Sequence, residues 1–220
     1  MNIFGLKYFG IFLIIISFFS FFNIIYAYYF NLLNNLSNYI LTFSISLIIA
    51  ILLILFKKYK YEKISLFERI LIVLIGYIIL PFFISIPYYL NLDDISLINC
   101  YFEAISGFTS TGFTVFSDLQ KLDQTLILWR SSSQWIGGLY FLFSILLLID
   151  VFDENLKRSL TNYISLNSSE IFKQVFKIIV IYLFMTILIF VMLKFVNLRS
   201  YDAYNYSLTI ISSGGFLPNN

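Results

Sequence analysis

Phe102 to Phe116 reads FEAISGFTSTGFTVF and brings together Ser106, Gly107, Thr109, Ser110, Thr111, Gly112 and Thr114. The chemistry such a stretch offers is oxygen: hydroxyls and backbone carbonyls rather than a nucleophile or a proton shuttle. Glycine permits φ > 0, so successive carbonyls can point the same way, and carbonyl oxygens can replace the hydration shell of a monovalent cation. A helix that ends at such a loop turns its negative end toward it, which favours a cation there. TIISSGGFLPNN, at the end of the sequence, repeats the pattern in weaker form with Ser212, Ser213 and Gly214. A Ser/Thr/Gly cluster is more often an ordinary loop or a close helix contact; two copies, each after a too-short helix, favour the cation reading.

Other chemistries are thinly supplied. There is no histidine, and Cys100 is the single cysteine. Disulfide frameworks and Cys/His metal sites within one chain are therefore excluded, and His-based acid–base catalysis with them. No covalent chemistry and no cofactor are expected, and the chain does not read as an enzyme. A net charge of +2 gives no argument for a nucleic-acid partner.

The elements that must position these loops lie in a bilayer. The sequence is 60% hydrophobic and 12% charged, against about 25% charged in a soluble domain. Tyr8 to Phe56 holds no charge. A helix crosses a bilayer with about 20 apolar residues, so this run forms two, about Tyr8–Phe30 and Tyr39–Phe56, divided by the polar Asn31–Asn38. The N-terminal apolar run has one basic flank, Lys7, and no A-x-A site, so it reads as a retained helix and not a signal peptide. A third span covers Ile70–Leu92 despite Pro81 and Pro87, which membrane helices tolerate. Ile95–Phe108 is too short to span and leads into the first polar loop. Further spans follow at Ser131–Ile149 and about Ile171–Val196, and YDAYNYSLTII repeats the short helix before the second loop.

With five alternating spans, ten of the fourteen basic residues fall on one side: Lys7, Lys57, Lys58, Lys60, Lys63, Arg69, Lys157, Arg158, Lys173 and Lys177. The positive-inside rule makes that side, and the N-terminus, cytoplasmic. Asp93, Asp94, Asp118, Asp123 and Asp202 then lie outside.

The expected fold is an all-α membrane protein. Two transmembrane helices and a basic loop (1–64) precede one full helix–pore-loop–helix repeat (65–153). A cytoplasmic loop and a partial second repeat, ending after its polar loop, follow (154–220). Each short helix carries an acidic residue, Glu103 or Asp202. Arg130 sits at the outer end of its span, where it can pair with Glu103 or Asp123 or snorkel to water. Glu103 either attracts cations or braces the loop by hydrogen bonds. Trp129, Trp135 and the tyrosines suit interfacial belts, with Tyr8, Tyr26, Tyr28 and Tyr29 belt or packing residues. Lys121 and Asp123 read as solvated loop charges, and Ser131–Ser133 beside Gly137 and Gly138 as a close-packing surface.

FEAISGFTSTGFTV followed by LILWRSSSQWIGG resembles the Trk/Ktr/HKT superfamily of potassium transport proteins, closest to the Trk type. The half-helix Phe102-Glu103-Ala104, the loop Thr109-Ser110-Thr111-Gly112 and the run Trp129-Arg130-Ser131, Gln134-Trp135, Gly137-Gly138 carry the likeness. Ile211–Phe216 looks like that family's second filter, with Ser213 in place of a threonine. The resemblance implies four repeats around a central pore in the bacterial inner membrane. It implies potassium held by backbone oxygens around Ser110, Thr111 and Gly112 in one loop and Ser212, Ser213 and Gly214 in the other; Glu103 and Arg130, read from their own positions, are the candidate filter supports. Gly112 leans toward potassium, since serine there accompanies sodium transport in plant relatives. Two loops cannot enclose a pore, so the sequence reads as a truncated or split half completed by a second polypeptide or further copies. The competing reading is a non-conducting assembly subunit. A cytoplasmic nucleotide-binding regulatory partner is implied by the resemblance alone.

Overall fold

Seven helices form among the described residues of the computed structural model, which are 4–55, 66–92, 94–116, 119, 122–148 and 168–217. In chain order they are α1 (Phe4–Tyr29), α2 (Leu36–Leu55), α3 (Leu66–Asn91), α4 (Leu97–Phe108), α5 (Gln124–Leu148), α6 (Ser168–Phe195) and α7 (Ser200–Ile211). Five of them, all but α4 and α7, are long and apolar enough to cross a membrane, as the apolar runs predict. Lys57, Lys58, Lys60, Lys63, Asp93, Asp118, Lys121, Lys157 and Arg158 lie outside the described residues, as do the boundaries at 64 and 153.

The first two helices form a hairpin held by a polar seam: Ser20 Oγ donates to Tyr39 O at 2.8 Å. The polar break reverses the chain at Asn31, which has φ 55°. Its last residue, Asn38, donates to Leu90 O at 3.0 Å and satisfies a carbonyl at the end of α3. Both prolines lie inside α3. Proline removes a helix hydrogen bond, and neighbouring helices supply donors to carbonyls along this stretch. Tyr101 O–H reaches Ile78 O at 2.8 Å, and the Trp129 indole N–H reaches Ile84 O at 2.9 Å.

That last bond corrects one expectation. Trp129 and Trp135 are 1% and 3% exposed; they are core side chains and not an interfacial belt. Trp135 N–H donates to Thr186 Oγ1 at 2.9 Å and ties α5 to α6. The indole N–H of each is satisfied by a specific interior acceptor, which makes full burial tolerable. Tyr8 is likewise buried, whereas Tyr28 and Tyr29 stand 74% and 77% exposed on α1. Helix α5 also starts seven residues before the expected Ser131, at Gln124. Asp123 caps it, accepting from Thr125 N at 2.8 Å and from Asn35 Nδ2 at 3.2 Å. Asp123 is thus a helix cap, not a solvated loop charge.

The two short helices have twelve residues each, about 18 Å at 1.5 Å per residue, against a hydrocarbon core of about 30 Å. Ser96 caps α4, accepting from Asn99 N at 3.3 Å. Before α7, Arg199 Nε donates to Asp202 at 2.6 Å, and that bond raises the guanidinium pKa above its ordinary value. The small residues of α5 admit the first of these helices closely. A Cβ on Gly137 would strike Phe108 O, and one on Gly107 would strike Ser133 Oγ.

Candidate functional site

Both short helices end in the same way. Thr109 and Ser212 are their C-caps, and each is followed by a serine with positive φ: Ser110 at 56° and Ser213 at 54°. Ser110 N bonds Gly107 O at 2.9 Å and Thr111 N bonds Ser106 O at 3.0 Å. Ser213 N bonds Ile210 O at 3.0 Å and Gly214 N bonds Thr209 O at 2.8 Å. This paired closure of the last turn is the Schellman motif, in which the left-handed position is usually glycine. A serine in that conformation at both sites is a shared local feature, not a chance of composition.

The helix ends set the correspondence between the loops. Thr109 matches Ser212, Ser110 matches Ser213, Thr111 matches Gly214, Gly112 matches Gly215 and Phe113 matches Phe216. The sequence places Ser212, Ser213 and Gly214 opposite Ser110, Thr111 and Gly112, one residue too early. Two adjacent glycines in SSGGF leave that register ambiguous, and the hydrogen bonds decide it. Glu103 and Asp202 are therefore not equivalent: Glu103 lies mid-helix facing its loop, and Asp202 lies in the first turn against Arg199.

The loops meet glycine to glycine. Gly112 has φ 78°, and a Cβ there would lie 2.7 Å from Gly215 Cα. Behind the first loop, hydroxyls brace the turn. Ser106 Oγ donates to Phe113 O at 2.5 Å, and Thr111 Oγ1 lies 3.1 Å from both Ser106 O and Ser106 Oγ.

Glu103 is fully buried and braces this loop. It accepts from Val115 N at 3.0 Å, from Thr114 Oγ1 at 3.0 and 3.1 Å and from Arg130 Nε at 2.8 Å. Of the two partners expected for Arg130, Glu103 is the one it takes. Arg130 is 1% exposed, so it does not snorkel. Its guanidinium lies 4.0 Å from the Phe216 ring centroid and 5.6 Å from that of Phe116. One ion pair therefore holds the first loop through Glu103 and the second through Phe216.

A cavity of about 640 Å³ lies at the C-terminal ends of α4 and α7, and its lining includes Tyr77, Thr109, Ser110, Gly138, Ser212 and Ser213. Two helix C-termini bordering one space give it negative potential without a carboxylate. Gln134, fully buried on α5, faces the second loop. With its carboxamide in the orientation that the hydrogen-bond network requires, Oε1 accepts from Gly215 N and Phe216 N, each at 3.0 Å. Sequence reasoning named Ser106 and Thr114 only among the hydroxyls of the stretch and gave Gln134 and Phe216 no individual role. For Gln134 the available signal was a polar side chain within a membrane-spanning helix.

A sequence-family model described as TrkH, cation transport protein, matches residues 34–218. The chain belongs to the TrkH family. Among similar proteins, an uncharacterized cation transporter of Methanocaldococcus jannaschii is 31% identical over 170 residues, 73% of this chain and 34% of that one. The Trk system potassium uptake protein TrkH of Escherichia coli is 26% identical over 159 residues, 68% of this chain and 32% of that protein. The crystal structure of the potassium transporter TrkH from Vibrio parahaemolyticus superposes on the whole chain with a TM-score of 0.76 at 22% identity, and the match covers 45% of that protein. The fold is thus the TrkH fold. The chain spans about a third of the length of these two curated relatives, as the matched shares of 34% and 32% give it.

Proposed function

We propose that this TrkH-family chain supplies two loops of a potassium-selective filter and works in potassium uptake across the plasma membrane. One observation carries the reading: two half-length helices end in the same left-handed serine at one cavity, and their loops touch at Gly112 and Gly215. Backbone oxygens around Ser110, Thr111 and Gly112, and from Ser212 to Gly215, take the place of ion hydration. The ion passes without covalent chemistry. Potassium is the cargo named for the Escherichia coli and Vibrio parahaemolyticus relatives, and Gly112 agrees with it. Additional polypeptide, beyond these two loops, supplies the loops that close the pore. The N-terminus faces the cytoplasm, where the basic segments meet a nucleotide-binding regulatory protein.

The test is growth of a potassium-uptake-deficient bacterial strain on low potassium. The arms are the chain alone, the chain with the C-terminal half of a TrkH relative, and each with Gly112→Ser. Rescue in either setting that Gly112→Ser weakens supports the reading. No rescue in both, from protein demonstrated in the membrane, sinks it in favour of a non-conducting assembly subunit.

A further inference from the structure

Arg130, Gln134 and Gly138 recur at four-residue spacing along α5 and so form one stripe. Each meets a different part of the second loop. Arg130 lies over Phe216, the Gln134 carboxamide lies against Gly214 and bonds Gly215 and Phe216, and a Cβ on Gly138 would sit 2.8 Å from Ser212 Cβ. The adjacent stripe, Ser133 and Gly137, meets Gly107 and Phe108 of α4 instead. One helix of the first unit therefore contacts its own short helix with one face and the following unit's loop with the next.

The chemistry at Gln134 is specific. Two successive amide N–H groups converging on one acceptor form a nest, a concavity that ordinarily takes an anion. A neutral carboxamide oxygen fills it here, without the cost of a charge inside the membrane. A trans peptide holds its C=O antiparallel to its N–H, and no peptide bond among the described residues is cis. The Gly215 and Phe216 N–H groups point at α5, so the carbonyls of Gly214 and Gly215 point away from it. Thr209 O acts in the same way on the preceding peptide, through Gly214 N at 2.8 Å. Gly214 is required by the same contact, because a Cβ there would collide with the Gln134 carboxamide.

We propose that Gln134 is the positioning residue of the second loop: by accepting the Gly215 and Phe216 N–H groups it aims the Gly214 and Gly215 carbonyl oxygens at the ion path. The filter of one unit is then shaped by the outer helix of the unit before it. The geometry stands by itself; only its consequence for ion selectivity rests on the proposed filter.

Hydrogen–deuterium exchange on the purified full chain in lipid nanodiscs tests the geometry without any need for conduction. In Gln134→Met, which keeps the length and removes the acceptor, the Gly215 and Phe216 amides exchange about tenfold faster, the loss of one ordinary hydrogen bond each. Gln134→Glu, which keeps an acceptor oxygen at the same reach, retains the protection, and the Thr109–Phe113 segment is unchanged in both. Equal exchange in wild type and Gln134→Met overturns the assignment. Should Gln134→Met not fold, Gly214→Ala carries the same test, since its Cβ pushes the carboxamide off the loop; protection retained there overturns the assignment equally. In a complemented strain that takes up potassium, Gln134→Met lowers the potassium-to-sodium uptake ratio several-fold while Gln134→Glu restores it, a split that a role in folding alone does not produce. An unchanged ratio in Gln134→Met also overturns the assignment. Faster exchange together with a wild type that never conducts supports the positioning and removes the transport reading, so the two failures are distinguishable.

Discussion

Phe113 and Phe216 occupy the same place after the two helix ends, three residues beyond Ser110 and Ser213, yet Phe216 is 2% exposed and Phe113 is 71% exposed. The difference lies in what α5 offers. Arg130 covers Phe216 with its guanidinium at 4.0 Å, whereas Phe113 is held through its carbonyl, by Ser106. The second loop is anchored from α5, by burial of Phe216 and by the Gln134 carboxamide, and the first by hydrogen bonds from its own short helix.

Truncating the two rings separates these modes. Phe216→Ala lowers stability by about 3–5 kcal/mol, as for a buried aromatic, while Phe113→Ala stays within about 0.5 kcal/mol. Thermal unfolding of both variants in the same detergent, followed by size-exclusion recovery, measures the contrast. Equal losses would show that the two loops are anchored alike.

The Glu103–Arg130 pair is buried on both sides, with side chains 0% and 2% exposed. Removing one partner leaves a charge uncompensated in a dry interior, at a cost of about 3–5 kcal/mol. Glu103→Gln and Arg130→Met each destabilise by that order, and the double variant loses much less than the sum. A double-mutant cycle on thermal stability reads the coupling. Simple additivity would mean that Glu103 acts through Thr114 and Val115 alone.

Much of this arrangement was legible in the chain. Long apolar runs set the five spans, charge-free at 8–56, 70–92 and 131–149, because length and apolarity are all that a bilayer demands of a crossing helix. Ser131, Gly137 and Gly138 foretold close packing because small side chains leave room for it, and Ser110 and Gly112 marked the loop. The burial of Trp129 was not legible, and that of Arg130 only as one alternative, pairing with Glu103 or Asp123, beside snorkelling to water. Both types favour interfaces on average, and only the pairing of Arg130 with Glu103 and of Trp129 with Ile84 O buries them. The register of SSGGF was hidden for a related reason: two identical neighbours carry no information about which one follows the helix stop. Gln134 was visible as a polar residue in a long apolar run, but its partners lie in a loop about eighty residues away along the sequence.

Trp129 and Trp135 are the only two tryptophans, so intrinsic fluorescence reports on their burial directly. Both lie in the helical interior, so emission is blue-shifted and aqueous iodide quenches it little. Trp129→Phe further leaves Ile84 O without its indole donor, a loss of about 1–3 kcal/mol for a buried unsatisfied group. Strong iodide quenching in the wild-type protein would return these residues to the membrane interface.

The two loop glycines differ in what an added methyl would meet. On Gly112 the Cβ would lie 2.7 Å from Gly215 Cα, at a φ of 78° that side chains rarely adopt. On Gly215 the nearest atom would be Gly112 Cα at 3.2 Å, with no positive φ to oppose it. Left-handed strain on a non-glycine residue costs about 1–3 kcal/mol, and it adds to the clash only at Gly112. On the proposed filter, Gly112→Ala therefore abolishes most potassium uptake, and Gly215→Ala reduces it by a smaller factor. Rubidium influx into a complemented strain, normalised to protein in the membrane, ranks the two. The reverse order would place the tighter constriction on the second loop, and with it the loop whose shape Gln134 controls.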